Sequence, residues 1–350
     1  MISEEPAQPV FLRRADALLD GISDAELARA VRRSELVRIQ RGTYAETPAT
    51  TSDDAAVRHA LVVAATVAGL RVPGVVSHAS AAVLHRLPLC RVPLGRVHVL
   101  RPPPAGGSGS ARVHLHVARV PDDHVILVDG LLATDVTRTV VDVARTVPFE
   151  SAVVLADRAV RTGGTSRERL SRCLERMGAV PGSRQAARVI AFADPLSESV
   201  GESRSRVLLH RLGLPAPDLQ VRELRRDSSV FGGCDFGWED DRTLAEFDGR
   251  ITYGRLLKPG QDAGDAVFEE KRREDELRDH RWEVARWTWQ DIDRPRVVEG
   301  ESVERSLAVA GDRNSCGLPF TVAVMQHRRS SRKTARATRG VSAGGPPASR

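Results

Sequence analysis

Three carboxylates, Glu202, Asp235 and Glu246, with Asp248 and Lys271 nearby, are the residues of this sequence best suited to chemistry. Two apolar runs, near 230 to 238 and 243 to 248, flank the polar cluster Glu239 to Arg242, the pattern of a β-hairpin turning between Asp240 and Asp241. In that register Asp235 stands opposite Glu246, with Cβ atoms about 4.5 to 5.5 Å apart on one face. The two-residue period of a strand puts Asp248 on the face of Glu246 and sends Ala245 and Phe247 to the other. Like charges this close repel, and a hard divalent cation, Mg2+ or Mn2+, relieves the repulsion. Such an ion polarises a phosphodiester, generates hydroxide from bound water and stabilises the leaving oxygen. The same spacing also fits an exposed acidic hairpin that binds nothing.

The elements that must position these groups follow from breakers and periodicity. Helical spacing covers 197 to 212 and stops at Gly213 and Pro215. Strands are expected near 218 to 224, 230 to 238 and 243 to 248, then a charged helix from about 265 to 280 and a strand from 282 to 288. All four tryptophans, Trp238, Trp282, Trp287 and Trp289, fall here and supply bulky core material.

This order of elements, with Glu202 on a helix, Asp235 on a strand, and Glu246, Phe247, Asp248 and Gly249 on the next, resembles the restriction-endonuclease-like, or PD-(D/E)XK, superfamily. Within it the likeness is closest to the Vsr-like branch related to very-short-patch-repair endonucleases, and it covers about 95 residues. The resemblance implies a mixed sheet flanked by helices that cuts DNA backbones, Glu202 being the helix acid, Asp235 the main metal ligand and Glu246 the second ligand. The superfamily signature has Lys two residues after the second acid; here that position is Asp248, and Lys271 on the next helix is the candidate substitute. Arg250 is a second nearby cation, but arginine cannot act as a base. In the helix around Lys271, most charges also fit a salt-bridged solvent-facing surface.

At the front of the chain, an apolar stripe from Phe11 to Leu19 fits a helix ended by Gly21, and Ser23 with Glu26 forms a capping box that opens a second helix through Arg33. Leu36 to Ile39 and Thr43 to Tyr44 then read as a small hairpin around Arg41 and Gly42. Two helices and a hairpin are the parts of a winged helix-turn-helix. Arg29, Arg32, Arg33, Arg38 and Arg41 are its candidate DNA-binding residues, since arginine serves both phosphates and guanine edges. The local balance is modest, seven arginines against five acids over residues 10 to 45, and short helical pairs also serve as protein-binding modules.

The run Gly21, Ile22, Ser23, Asp24, Glu26, Leu27, then Arg32 to Ile39, then Arg41 to Tyr44 is similar to the N-terminal domain of AbiEi-like antitoxins of type IV toxin-antitoxin systems. Val76 to His85 and Thr137 to Asp142 extend that likeness to about residue 150. The resemblance implies a winged-helix regulator that binds promoter DNA and has a cognate toxin protein as a partner.

The expected organisation is an α+β multidomain chain. It comprises a leader (1–9), a winged helix-turn-helix (10–50), an antitoxin-like α+β domain (51–150), a helical connector (151–196), a Vsr-like endonuclease-type domain with a mixed sheet flanked by helices (197–295), and a basic, largely unfolded tail (296–350). The net charge of +6 is concentrated in that tail: residues 328 to 350 are +7 without an acid, so the remainder is −1. Cys90, Cys173, Cys234 and Cys316 have no paired spacing, which argues against a disulfide framework or a cysteine-based zinc site. No apolar run reaches the length of a membrane span, and the N-terminus lacks signal-peptide order, so a cytoplasmic protein without membrane association is expected. Seven of ten histidines lie between 59 and 124. His114 and His116 share a strand face near His98, but without supporting Cys, Asp or Glu spacing they read as partly buried or surface histidines. Two functional readings stay open. One is a Mg2+-dependent DNA endonuclease or nickase; the other is a non-catalytic antitoxin and transcriptional regulator with a degenerate nuclease fold.

Overall fold

The computed structural model describes residues 11–46, 54–104, 111–224, 230–249 and 282–293. The expected leader, the 265–280 helix with Lys271, Arg250 and the basic tail lie outside the described residues. Strand β1 (Phe11–Arg13), helices α1 (Arg14–Leu19) and α2 (Asp24–Arg32), and strands β2 (Leu36–Gln40) and β3 (Thr43–Glu46) come first, with β3 between β1 and β2 in an antiparallel sheet. The stripe from Phe11 to Leu19 therefore splits: Phe11 to Arg13 pair with Thr43 to Ala45, because the sheet offers their backbone groups partners that a helix N-terminus would leave unmet. The capping box forms as expected, with Ser23 Oγ accepting from Glu26 N–H and the Glu26 carboxylate accepting from Ser23 N–H at 2.8 Å.

Next come α3 (Ala55–Ala68), β4 (Val75–Val76), α4 (His78–Leu84), β5 (Val97–Arg101), β6 (Val113–Val117), β7 (Val125–Val128) and β8 (Leu131–Thr134). They form a five-stranded sheet of order β6-β5-β4-β8-β7. Its core joins Val63 of α3, Ala81 and Leu84 of α4, and Val97 and Val99 of β5. The run 125 to 134 is a hairpin turned by Asp129 and Gly130, both left-handed, with Val128 opposite Leu131.

Helices α5 (Val136–Thr146), α6 (Phe149–Arg161), α7 (Arg167–Met177) and α8 (Ser183–Phe192) share one large core with Val207 of α9 (Val200–Arg211). The helical stretch 151–196 thus packs as a body with its neighbours on both sides. Strands β9 (Asp218–Leu224), β10 (Val230–Trp238), β11 (Thr243–Asp248) and β12 (Glu283–Thr288) then form a four-stranded sheet, and α10 (Trp289–Asp293) follows. The first three strands are antiparallel, and β12 runs parallel to β11.

Helix α9 connects the two bodies. Val207 enters the helical core, whereas Leu208 and Leu209 pack on Phe236, Trp238, Ala245 and Trp287 of the sheet. Gly201 allows the close approach: a Cβ there would lie 1.8 Å from the Phe247 ring. Replacement by even the smallest side chain forces that ring or the helix to move, and overpacking of this kind costs about 1 to 3 kcal/mol. Gly201→Ala is therefore expected to lower the thermal unfolding midpoint by several degrees, whereas an unchanged midpoint would show that α9 and β11 are not in intimate contact.

Candidate functional site

The hairpin has the register read from the sequence: Phe236 faces Ala245, Gly237 faces Leu244 and Trp238 faces Thr243. Ala245 belongs to the core beneath α9 and Phe247 packs against it, while Leu244 lies on the opposite face with Cys234 and Trp282. Asp248 is exposed.

Each of the three central acids has protein partners of its own. Glu202, only 8 % exposed, sits one turn into α9, where Ser199 is the N-cap and accepts from its backbone N–H. Its Oε2 accepts from Glu198 N–H at 2.8 Å and from Gln220 Nε2 at 3.0 Å. Ser199 and Glu202 have the capping-box spacing, so closure of a helix end is by itself a reason for this acid. Glu246 is paired with Arg286, Nε to Oε2 at 3.0 Å, because the parallel register of β11 and β12 sets these two residues side by side. Its other oxygen lies 3.5 Å from Cys234 Sγ. Sequence reasoning passed over Arg286; the parallel pairing that brings it to Glu246 depends on a crossover that hydrophobic alternation does not reveal.

Asp235 lies between these groups. Its Oδ2 accepts from Phe247 N–H at 2.8 Å. Burial pushes its carboxyl up to about 6 against the Phe247 hydrogen bond, and the neighbouring charges of Glu202, Glu246 and Glu198 push the same way. The acids therefore converge electrostatically on Asp235. Yet the ligand atoms of Glu202, Asp235 and Glu246 do not all lie within 4.8 Å of one another; among the described residues, the triad that meets this limit is His78, His98 and His116. Arg286 offsets the Glu246 charge, and two N–H donors hold Glu202 Oε2.

In the front unit, Arg29 and Arg32 of α2, Arg33 at its C-cap, Arg38 of β2 and Arg41 of the turn are all exposed. Arg29 and Arg33 lie 3.8 and 3.9 Å from Glu26 and Glu35, loose surface pairs that a phosphate readily displaces. Leu27, buried on the inner side of α2, holds the helix with this arginine-bearing side outward.

A basic helix-and-hairpin unit thus precedes two larger bodies, the second carrying a cluster of acids. Residues 2–47 match the family model described as "Transcriptional regulator, AbiEi antitoxin". Over 121 residues the chain is 31 % identical to the uncharacterized proteins MT2308 and Rv2248 of two Mycobacterium tuberculosis strains, matching 35 % of this chain and 44 % of each relative. The matched stretch thus spans under half the length of these curated relatives. The crystal structure of the RV2827C protein from Mycobacterium tuberculosis is similar with a TM-score of 0.37 and 20 % identity, over 53 % of this chain and 72 % of that one. No helix among the described residues is long and apolar enough to cross a membrane.

The raised Asp235 carboxyl has a consequence for stability. A folded-state value of about 6, above the ordinary carboxyl value of 3.8, means that the folded protein holds this proton more tightly, so the contribution is fully present below the unfolded value and is lost as pH rises through about 6. Relative to Asp235→Asn, the wild type is expected to lose stability in chemical denaturation between pH 4 and roughly 6.5. Parallel stabilities across that range would contradict the burial of this acid.

Proposed function

We propose that the protein is a DNA-binding transcriptional regulator of the AbiEi antitoxin type, with a C-terminal unit built like a nuclease but working without catalysis. The observation that carries this reading is the coincidence of the family match over residues 2–47 with exposed arginines on α2 and the following hairpin. In a winged helix-turn-helix, such a helix enters the major groove and the hairpin touches the backbone alongside. Arg29, Arg32 and Arg33 recur at helical spacing, so one face of α2 offers planar donors to phosphates and guanine edges, with Arg38 and Arg41 flanking it. The ligands of this protein would be promoter DNA and a cognate toxin protein, with the cytoplasm as its compartment.

The C-terminal unit supports the same reading. Its order of one helix, three antiparallel strands and a fourth strand parallel to the third agrees with a restriction-endonuclease-like core. The pairing of Glu246 with Arg286, and Asp248 at the signature lysine position, favour a fold that keeps its shape without metal-dependent cutting. A second reading, a Mg2+- or Mn2+-dependent endonuclease or nickase, draws on one observation, the acidic field converging on Asp235.

Fluorescence anisotropy with DNA from upstream of the gene tests the first reading. Changing both Arg32 and Arg33 to Ala is expected to weaken binding at least tenfold and to reduce the slope of log affinity against log salt by about 2, since each lost phosphate contact removes close to one released counterion. Unchanged affinity and slope would count against the front unit as the DNA reader. Supercoiled plasmid with Mg2+ or Mn2+ separates the two readings. The wild type is expected to cut no more than Asp235→Ala or Glu246→Ala, and cutting by the wild type alone would establish the enzyme instead.

A further inference from the structure

The five-stranded sheet gathers histidines that the DNA-binding reading does not use. In the parallel pairing of β5 and β6, His98 stands beside His114 and Leu100 beside His116, so His98, His114 and His116 share one face. His78 joins them from the start of α4, its ring stacked on that of His116 with centroids 3.7 Å apart. His98 Nδ1 and His116 Nε2 are 2.9 Å apart, a distance at which one ring nitrogen donates and the other accepts.

The geometry points to a divalent transition-metal site, suited to Zn2+, formed by His78, His98 and His116. The ligand nitrogens of these three side chains all lie within 4.8 Å of one another. A tetrahedral zinc with bonds near 2.0 to 2.1 Å needs nitrogens roughly 3.3 Å apart, so the set closes on an ion as the stacked His78 and His116 rings turn toward it. On binding, the imidazole that donates in the His98–His116 contact shifts its proton to its other ring nitrogen, so that both contacting nitrogens face the cation.

Two further features support the site. His78 adopts a left-handed backbone, φ +50°, which a residue with a Cβ rarely takes, and this conformation accompanies its ring stacking on His116. His78 Nδ1 is 3.0 Å from Ser77 Oγ, the outer hydrogen bond that typically orients a metal-binding imidazole and leaves the other nitrogen for the ion. Arg145, Arg138 and Arg96 are nearby cations that oppose an added charge; Arg145 and Arg138 are both bound to buried Asp142, at 3.0 and 2.9 Å. His78 is buried while His98 and His116 are half-buried, so a fourth tetrahedral position falls to water on the open side.

The test uses the metal-free full chain titrated with Co2+, which reports its ligands through visible absorption, and with Zn2+ as competitor. One Co2+ per chain is expected, with the intense visible bands of a tetrahedral site, displaced by Zn2+. His98→Gln and His116→Gln are expected to weaken binding at least tenfold with unchanged far-ultraviolet circular dichroism, whereas His210→Gln binds as the wild type. Failure of the wild type to bind Co2+, or equal binding by the His98 and His116 variants, would overturn the assignment. Should those variants not fold, the wild-type spectrum still decides: a thiolate-to-cobalt charge-transfer band would assign the ion to a cysteine site and overturn the proposal, while its absence from a bound, tetrahedral spectrum supports it.

Discussion

Helix α9 is the constraint on which the C-terminal half depends. Eight of its twelve residues are buried, so it has packing partners on most sides. Toward the helical body, Asp157 of α6, 1 % exposed, accepts from Arg206 Nη1 at 2.8 Å, from Ser203 Oγ at 2.7 Å and from Asp194 N–H at 2.8 Å. Toward the sheet, Trp287 Nε1 donates to Ser205 Oγ at 2.7 Å while Gly201 admits the Phe247 ring. A buried carboxylate with a cation and two further donors is tolerable only as a complete set; removing one partner leaves charge stranded in a poor solvent. The helix is thereby held in register against both bodies, and Glu202 is fixed relative to Asp235.

The acidic site follows from that placement. The strands bring the carboxylates together, and the same strands supply their counter-groups: Arg286 through the parallel pairing with β11, and the Phe247 N–H one residue beyond Glu246. A fold that accumulates negative charge must offset it with a metal or with its own donors. Here donors of the chain itself engage each acid, while Asp235 keeps the residual strain as a raised carboxyl.

Much of this was legible in the sequence. The hairpin turn at Glu239 to Arg242 carries its own register, since apolar alternation and turn residues are local signals, and strands 218–224, 230–238 and 243–248 form with those limits. The capping box at Ser23 and Glu26 is equally local. What escaped was non-local. Phe11 to Arg13 have helical spacing, but partners 30 to 34 residues away draw them into a sheet. Val75 and Val76 are too short a run to signal a strand, yet they occupy the centre of the five-stranded sheet. His78 lies twenty residues before His98, and only the chain reversal between β4 and β5, together with a left-handed backbone, brings the two rings near each other.

On the non-catalytic reading proposed above, the carboxylates of the C-terminal unit are satisfied by the protein rather than by an ion. Thermal unfolding of the full chain with and without millimolar Mg2+ separates the two cases, because a ligand bound only to the folded state raises the midpoint by mass action. The midpoint is expected to be the same in both conditions. A rise with Mg2+ in the wild type that disappears in Asp235→Asn would contradict the claim and restore a metal to the site.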